Sequence, residues 1–294
     1  MHSKITEFSE LINKDLFEYF DNCLEDYKVI FDSMRYSVEN GGKRVRPLLT
    51  LLFCDACGGD VKKALPVADA VEYIHSYSLI HDDLPCMDND DFRRGKPSNH
   101  KVYGEAFALL AGDGLLTAAF ERITDLYKAG LYSAEVAVNA VSVLSHLAGS
   151  RGMIGGQVID LLNEDNADAD IDSLMLMDNL KTGALIEAAC VLGCVVAEAD
   201  EGKIEAARKF AQNTGLAFQI KDDILDVTST LEKLGKMVGS DEQNGKSTYV
   251  TLLGVEKCQK LVEELTQEAM KALGVFENNE ALIEYAEYLS KREY

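Results

Sequence analysis

Two groups of aspartate residues have the spacing of a metal site. The first extends from Asp82 to Asp91 and the second from Asp222 to Asp226. Asp222 and Asp226 are four residues apart, so on a helix their carboxylates share one face and can chelate the same cation. Carboxylates packed this closely repel one another unless a cation neutralises them, and oxygen-only ligands favour Mg²⁺. The two groups therefore predict a Mg²⁺ site, against the plainer alternative of helix ends that lead into acidic loops.

The first aspartate group needs a bend in the chain before its members can act together. Asp82 and Asp88 are six residues apart, and on an ideal helix their side chains would point about 120° apart. Pro85 lies between them and cannot continue a helix without distorting it. We therefore expect the helix to end near Pro85 and the chain to bring Asp82 and Asp88 together.

The basic residues are gathered into short groups. One extends from Lys43 to Arg46, and the other, from Arg93 to Lys96, directly follows the first aspartate group. A bound diphosphate would account for both, because metal ions bridge its oxygens to carboxylates and arginine forks hold the remaining oxygens. A network of surface salt bridges is the alternative.

The overall charge excludes one class of partner. Of the 294 residues, 29 are Lys or Arg and 50 are Asp or Glu, which gives a formal charge of −21. Nucleic-acid binders hold phosphate backbones with an excess of basic residues that this chain lacks. A hydrophobic content of 47% with 27% charged residues is typical of a globular protein.

The sequence predicts a cytoplasmic protein with no stable membrane insertion. The first twenty residues are interrupted by charges and do not resemble a signal peptide. The longest uncharged apolar run, from Ala188 to Ala197, has ten residues, whereas about 20 are needed to span a bilayer.

The seven cysteines fit a reducing compartment, because an odd number at irregular spacing is a poor disulfide framework. Cys54 and Cys57 form a C-x-x-C pair, and Cys190 and Cys194 lie one helical turn apart, so a zinc site is conceivable. No flanking sequence is typical of a zinc ribbon or knuckle. We therefore interpret the cysteines as small buried apolar residues.

The hydrophobic pattern predicts one all-α domain over residues 1–294, with about ten helices. No proline follows Pro97, and apolar residues recur at steps of three and four, as on the buried face of a helix. The longest predicted helices are Lys62–Asp83, Tyr103–Tyr127, Ala134–Leu147, Leu174–Ala197, Lys203–Asp226 and Val255–Leu273.

Several short segments complete a pattern that extends in order from about residue 40 to 255. They are Gly42-Lys43-Arg44-Val45-Arg46-Pro47, His81-Asp82-Asp83-Leu84-Pro85 through Asp88 to Arg93-Arg94-Gly95, Gly112-Asp113, Gly155-Gly156-Gln157, Lys181-Thr182, Phe218-Gln219 through Asp226, and Gly245-Lys246-Ser247-Thr248. This set resembles the trans-prenyltransferases, the isoprenyl diphosphate synthases of the bacterial farnesyl diphosphate synthase (geranyltranstransferase) kind.

The resemblance implies an all-α bundle around a central cavity and a homodimer. It also implies Mg²⁺-dependent head-to-tail condensation of isopentenyl diphosphate with dimethylallyl or geranyl diphosphate to give (2E,6E)-farnesyl diphosphate. A geranylgeranyl diphosphate synthase and a non-catalytic partner subunit of another synthase remain alternatives. A class I terpene cyclase would need no second diphosphate pocket, and a metal phosphohydrolase would need further histidine ligands.

The resemblance also assigns roles to residues. The metal and allylic-diphosphate residues would be Asp82, Asp83, Asp88, Arg93, Lys181, Asp222, Asp223, Asp226 and Lys236, with Asp82, Asp88 and Asp222 as metal ligands. Isopentenyl diphosphate would bind to Lys43, Arg46, His75 and Arg94. Thr182 and Gln219 would line the path of the allylic cation, and Lys246 would help close the site.

Tyr77 is the residue expected to limit product length. It lies five positions before Asp82, about 7.5 Å along a helix axis. In the family resembled, a large residue at this depth tends to stop the growing chain, which favours a fifteen-carbon product. An ordinary core aromatic residue is the alternative.

Overall fold

The computed structural model describes residues 3–21, 23–163, 170–228 and 248–291. Within these ranges the chain forms fourteen α-helices and one two-residue β-hairpin, so the predicted all-α class is confirmed. The helices are α1 (Ser3–Asp15), α2 (Lys28–Glu39), α3 (Val45–Ala56), α4 (Val61–Asp82), α5 (Asn99–Tyr103), α6 (Glu105–Lys128), α7 (Ala134–Ala148), α8 (Met153–Asn163), α9 (Ile171–Asp178), α10 (Ala184–Val196), α11 (Glu201–Thr228), α12 (Tyr249–Leu253), α13 (Val255–Ala272) and α14 (Glu280–Lys291). The hairpin pairs β1 (Phe92–Arg93) with β2 (Lys96–Pro97).

The described residues contain more than the predicted number of about ten helices because very short helices are hard to recognise from sequence. The short helices α5 and α12 have five residues each and are too brief to show a repeating apolar pattern. Three 3₁₀ turns, Glu18–Phe20, Glu25–Tyr27 and Leu273–Val275, add further short helical segments.

Helix α4 is the central element of the fold. It begins at Asp60, whose side chain accepts a hydrogen bond from the backbone of Lys62, as a helix N-cap does. It packs against α3 on one side and α6 on another, and most of its side chains from Ala64 to Ile80 are buried. Because both sides are covered, the end of α4 is held rigidly where the first aspartate group begins.

The chain turns sharply after α4, as Pro85 predicted. The backbone amide of Asp88 donates a hydrogen bond to the carbonyl of Asp82 at 2.9 Å, and Asn89 donates to Leu84 at 3.1 Å. The turn therefore brings Asp82 and Asp88 back beside each other.

The single helix predicted over Leu174–Ala197 is interrupted by a π-helical turn. Helix α9 passes into this turn at Asn179–Gly183, and α10 follows it directly. Single π turns inside α-helices occur frequently at functional sites. Lys181 and Thr182 lie on this turn.

The run Ile171–Val196 is also a candidate membrane span within the described residues. Its 26 residues and mean hydropathy of 1.5 meet the length and composition of a spanning helix. However, 67% of its apolar window is buried inside the protein, which is typical of a helix in a protein core. The apolar run from Ala188 to Ala197 is therefore the end of a longer, buried helix.

The cysteines are all free thiols. Four of them, Cys54, Cys190, Cys194 and Cys258, are buried as predicted, whereas Cys86 is exposed. Across the described ranges, no three His, Cys, Asp or Glu side chains are grouped as a metal site, so the zinc alternative has no support there.

Candidate active site

A cavity of about 530 Å³ lies between α4, α6, α8 and the π turn. Its lining includes polar residues from the sequence motifs, and we call this set the charged end: Arg46, His75, His81, Asp82, Gln157, Lys181 and Thr182. The remaining wall is apolar and is formed mainly by Leu79, Leu84, Leu109, Leu116, Met153, Ile154, Val158 and Leu161. A cavity with one charged end and an apolar body suits an elongated ligand with an anionic head and a hydrocarbon tail.

Asp82 lies at the charged end of the cavity. Burial raises the pKa of Asp82 to about 6. The negative charges of Asp88 and Asp83 also raise this pKa, whereas the positive charges of Lys181 and Arg93 lower it. A carboxylate held near other carboxylates is a site where a bound cation relieves repulsion. Asp88, beside it across the turn, is exposed.

Asp83 faces away from this cavity. Its carboxylate is 3% exposed and accepts two hydrogen bonds from the Arg93 guanidinium, one of them from Nε at 2.9 Å. Asp83 and Arg93 therefore form an ion pair with each other in this structure. Arg93 can bind a diphosphate, as predicted, only if its guanidinium contacts the diphosphate together with Asp83 or in place of Asp83.

The second aspartate group lies near the end of α11, where its three members have different surroundings. Asp222 is exposed, whereas Asp226 is 3% exposed. Asp223 accepts a hydrogen bond at 2.8 Å from the backbone amide of Tyr249, the first residue of α12. One oxygen of Asp223 thus anchors a neighbouring helix.

The donor set fits Mg²⁺ in its usual protein environment. This ion is generally held by one or two carboxylates, with waters and substrate phosphates completing its octahedron. Asp82 and Asp88 supply such a pair across the turn after α4. A preformed site of three or more protein ligands is absent from the described residues and is not required when a diphosphate supplies the remaining oxygens.

The π turn presents Lys181 and Thr182 to the cavity. The Lys181 ammonium pairs with Asp160 at 2.5 Å, which holds it on the side of the cavity formed by α8. Gly156 allows α8 to approach the π turn closely, because a Cβ atom at this position would lie 2.1 Å from the Lys181 backbone nitrogen. Helix α8 and the π turn are therefore in direct backbone contact.

Arg46 and His75 contribute basic side chains to the lining of the cavity. Burial, with the nearby charge of Arg94, lowers the pKa of Arg46 to about 10, although Glu72 opposes this effect. The Arg46 Nε atom is buried and has no hydrogen-bond partner. Burial and the charges of Arg46 and Arg94 hold the pKa of His75 well below its usual range. Buried cationic and neutral donors of this kind are suited to an anionic ligand.

Arg94 and Lys43 lie at the outer part of this basic region. Both side chains belong to exposed residues. The Arg94 guanidinium donates a hydrogen bond to the carbonyl of Gly41, in the loop that carries Lys43. The two basic groups singled out in the sequence are therefore brought together by the fold.

Tyr77 lines the cavity, and its role in limiting product length stays a prediction. It is 5% exposed, and its ring meets that of His81 edge to face with the centroids 5.6 Å apart. Its hydroxyl is buried without a partner. The ring thus occupies cavity wall about 7.5 Å along α4 from Asp82.

Sequence reasoning missed two acidic residues that position the predicted ones. Asp160 holds Lys181, and Asp178 accepts a hydrogen bond from Gln219 Nε2 at 3.5 Å. Burial raises the pKa of Asp178 to about 6. The only signal for Asp178 was a single carboxylate in the apolar stretch before Lys181.

Two predicted residues, Lys236 and Lys246, lie outside the described residues. Their proposed contacts with the allylic diphosphate and with a closing segment stay predictions.

The chain is similar to known proteins over most of its length. The polyprenyl synthetase family matches residues 27–286. The chain is 48% identical over 266 residues to the chloroplastic geranylgeranyl pyrophosphate synthase of Catharanthus roseus. The aligned region covers 90% of this chain and 74% of that protein. It is 47% identical over 264 residues to the geranylgeranyl diphosphate synthase of Cyanophora paradoxa, with coverages of 90% and 87%.

A similar solved structure is the FPP/GFPP synthase of Zymomonas mobilis, without ligand. It superposes with a TM-score of 0.86 at 34% identity, covering 97% of this chain and 98% of that one. The similarity therefore extends over nearly the whole described fold, including every helix that contributes to the cavity.

The comparison contradicts the predicted cytoplasmic location. Relatives from Catharanthus roseus, Arabidopsis thaliana and Capsicum annuum, at 45–48% identity, are named as chloroplastic proteins. The prediction depended on first residues that do not resemble a secretory signal peptide and on the shortness of the longest apolar run, and neither criterion recognises a transit peptide, which is amphipathic.

Proposed function

The chain belongs to the polyprenyl synthetase family and is a prenyltransferase that elongates prenyl chains, and we propose that it makes farnesyl diphosphate. The substrates in this proposal are isopentenyl diphosphate and dimethylallyl or geranyl diphosphate, with Mg²⁺ as the cofactor. The observation that carries it is the cavity with Asp82 at its charged end and Tyr77 in its apolar wall.

The charged end has the groups that an ionising allylic diphosphate needs. Mg²⁺, bound by Asp82 and Asp88 and by Asp222, would supply positive charge to the departing diphosphate. Lys181 adds a cation on the π turn, and no protein nucleophile is required because the allylic C–O bond breaks by itself once its leaving group is stabilised.

The rest of the site orients the second substrate and excludes water. Lys43, Arg46, His75 and Arg94 would hold the diphosphate of isopentenyl diphosphate, so that its double bond attacks the allylic carbon. A proton then leaves the new carbon chain, and the released diphosphate is a base at hand to take it. The apolar walls protect the allylic cation from hydrolysis.

The product length rests on Tyr77. Its ring lines the cavity, and in the family that the sequence resembles a large residue at this depth tends to limit the chain, which favours fifteen carbons. The names of the curated relatives favour geranylgeranyl diphosphate, a twenty-carbon product, as the second candidate. The solved relative from Zymomonas mobilis is named for products of fifteen and twenty-five carbons, so chain length varies within this fold.

We also propose a homodimer. Four large apolar residues on α5 and the first turns of α6, namely Val102, Phe107, Leu109 and Leu110, are 42–51% exposed. Apolar residues scattered singly on a surface are normal, but a cluster marks an interaction site. Leu109 also lines the cavity, so a second copy packed on this face would complete its wall.

The direct test is incubation of the purified protein with isopentenyl diphosphate, each allylic diphosphate and Mg²⁺, followed by chromatography of the dephosphorylated products. Farnesol is expected, with no product in excess chelator. Geranylgeraniol as the main product would support the second candidate. Undiminished activity in chelator, or no condensation with any allylic substrate, would reject the mechanism.

A further inference from the structure

Arg44 and Glu72 form a buried ion pair beside the basic region, and neither has a role in the proposed chemistry. Arg44 Nη1 donates to Glu72 Oε1 at 2.6 Å, and Arg44 Nη2 donates to the carbonyl of Val38 at 2.6 Å. Arg44 is 8% exposed and Glu72 is 2% exposed. The pair is therefore shielded from the water that would weaken it.

Arg44 adopts a backbone conformation that is unfavourable for its residue type. Its φ of +48° lies in the left-handed region, where the Cβ atom crowds the backbone. Such a conformation persists only where the surroundings hold it. The two hydrogen bonds of the Arg44 side chain, to Glu72 and to Val38, are the contacts that can do so.

The two members of the pair are close in the chain to the predicted isopentenyl diphosphate residues. Arg44 is flanked in the chain by Lys43 and is two residues from Arg46, while Glu72 is three residues before His75 on α4. Residues three apart on a helix are neighbours on its surface. One buried bridge therefore connects the loop that carries the basic residues to the helix that carries His75.

The other end of this loop is held by Arg94. Its guanidinium bonds to the Gly41 carbonyl and lies so close to Gly42 that a Cβ there would be 2.7 Å from Nη1. The loop is thus fixed at Gly41 by Arg94 and at Arg44 by Glu72. Lys43 lies between the two fixed points.

We propose that Glu72 is a positioning residue for the isopentenyl diphosphate pocket, acting through Arg44 to set the positions of Lys43 and Arg46. This inference rests on the proposed function of the pocket. Glu72 does not touch the substrate in it, and its effect is on the geometry of the residues that do.

The alternative role of Glu72 as a simple charge predicts the opposite result. A carboxylate close to Arg46 and Arg94 lowers the positive potential of the pocket, so its removal would strengthen binding of a diphosphate. Removal of a positioning contact instead misplaces the binding groups and weakens binding. The sign of the change in KM therefore separates the two roles.

The test measures steady-state kinetics of Glu72→Gln, which keeps the shape but replaces the charged acceptor with a neutral amide and so removes the ion pair with Arg44. We expect KM for isopentenyl diphosphate to rise about tenfold or more, with KM for geranyl diphosphate and kcat within about threefold of wild type. Arg44→Lys, which lacks the two separate guanidinium nitrogens that bond Glu72 and Val38, should raise the same KM. The double variant should raise KM for isopentenyl diphosphate no more than the stronger single variant does, because the two substitutions remove the same interaction.

Asp69→Asn is the matched control for loss of stability alone. Asp69 lies on the same helix, three residues before Glu72, is fully buried, and pairs with Arg122 at 2.5 Å. It should lower the melting temperature without changing KM for isopentenyl diphosphate.

A fall or no change in this KM in folded Glu72→Gln would overturn the inference, and so would an equal rise in Asp69→Asn. If Glu72→Gln does not fold, Arg44→Lys is scored by the same KM, with the same outcomes deciding. If wild-type protein does not use isopentenyl diphosphate, the proposed function fails first, and the inference fails with it.

Discussion

The adjacent arginines after the first aspartate group face different partners. Arg93 bonds to the buried carboxylate of Asp83, whereas Arg94 bonds to the Gly41 loop. The hairpin therefore directs the Arg93 guanidinium towards Asp83 and the Arg94 guanidinium towards the loop that carries Lys43. In the proposed function, this division would let two residues that are neighbours in sequence contribute to two different diphosphate sites.

His75 gives a pH-dependent prediction at this scale. Because its pKa is held well below the usual range by burial and by Arg46 and Arg94, the folded protein does not take up the proton that the unfolded chain binds below about pH 6.5. Stability is therefore lost as the pH falls through 6.5, by up to about 2 kcal/mol between pH 7 and pH 5.

His75→Gln should lose less stability over this interval than wild type, as measured by urea unfolding at both pH values. The control is His146→Gln, since His146 is exposed on α7, and it should lose as much as wild type. An identical loss in His75→Gln and wild type would show that this imidazole takes up its proton in the folded state.

Tyr77 gives a prediction about product length. Tyr77→Ala removes the ring from the apolar wall, and the products should lengthen to twenty carbons or more. Tyr77→Phe should keep the wild-type product, because the hydroxyl has no hydrogen-bond partner to lose. Chromatography of the products from the two variants checks this. If folded, active Tyr77→Ala makes the wild-type product, other residues limit the chain.

At the scale of elements, the contact between α8 and the π turn determines where Lys181 and Thr182 lie. The π turn packs against α8, α9 and α11, and Lys181 is tied to Asp160 of α8. A shift of α8 would therefore move a cation that the proposed mechanism uses.

Gly156→Ala tests this contact. The added methyl group would meet the Lys181 and Leu180 backbone at 2.1–2.7 Å, and backbone cannot rotate away as a flexible side chain can. We expect kcat to fall by about a hundredfold or more, because small displacements in a positioned site are costly. Gly274→Ala is the control, since nothing lies within 4 Å of its Cβ position, and its kinetics should match wild type. Wild-type kinetics in Gly156→Ala would show that α8 can move without disturbing the site.

At the scale of the whole molecule, the exposed apolar cluster on α5 and α6 predicts association of two copies. Sedimentation of the wild type should give about twice the mass of one chain. Leu110→Asp places a charge in the cluster and should shift the equilibrium to the monomer. Val138→Asp changes an exposed apolar residue on α7 and should remain dimeric. A monomeric wild type would reject the dimer.

The sequence alone determined the helical class and the end of α4 near Pro85. These features depend on local physics, because apolar periodicity specifies helices and proline ends them. The grouped aspartates beside grouped arginines led to the proposal of a diphosphate and its cation. Of the predicted residues, Arg46, His75, Tyr77, Asp82, Lys181 and Thr182 line one cavity.

Only the tertiary structure decided how these residues are held. Asp83 turns to Arg93, Asp160 holds Lys181, and Glu72 holds Arg44. The last two pairs join residues 21 and 28 positions apart in the chain, and no local pattern encodes which charged side chains meet across separate helices. The π turn was hidden for the same reason: its extra residue is set by packing against α8 and α11, whereas the apolar pattern of Leu174–Ala197 reads as an uninterrupted helix.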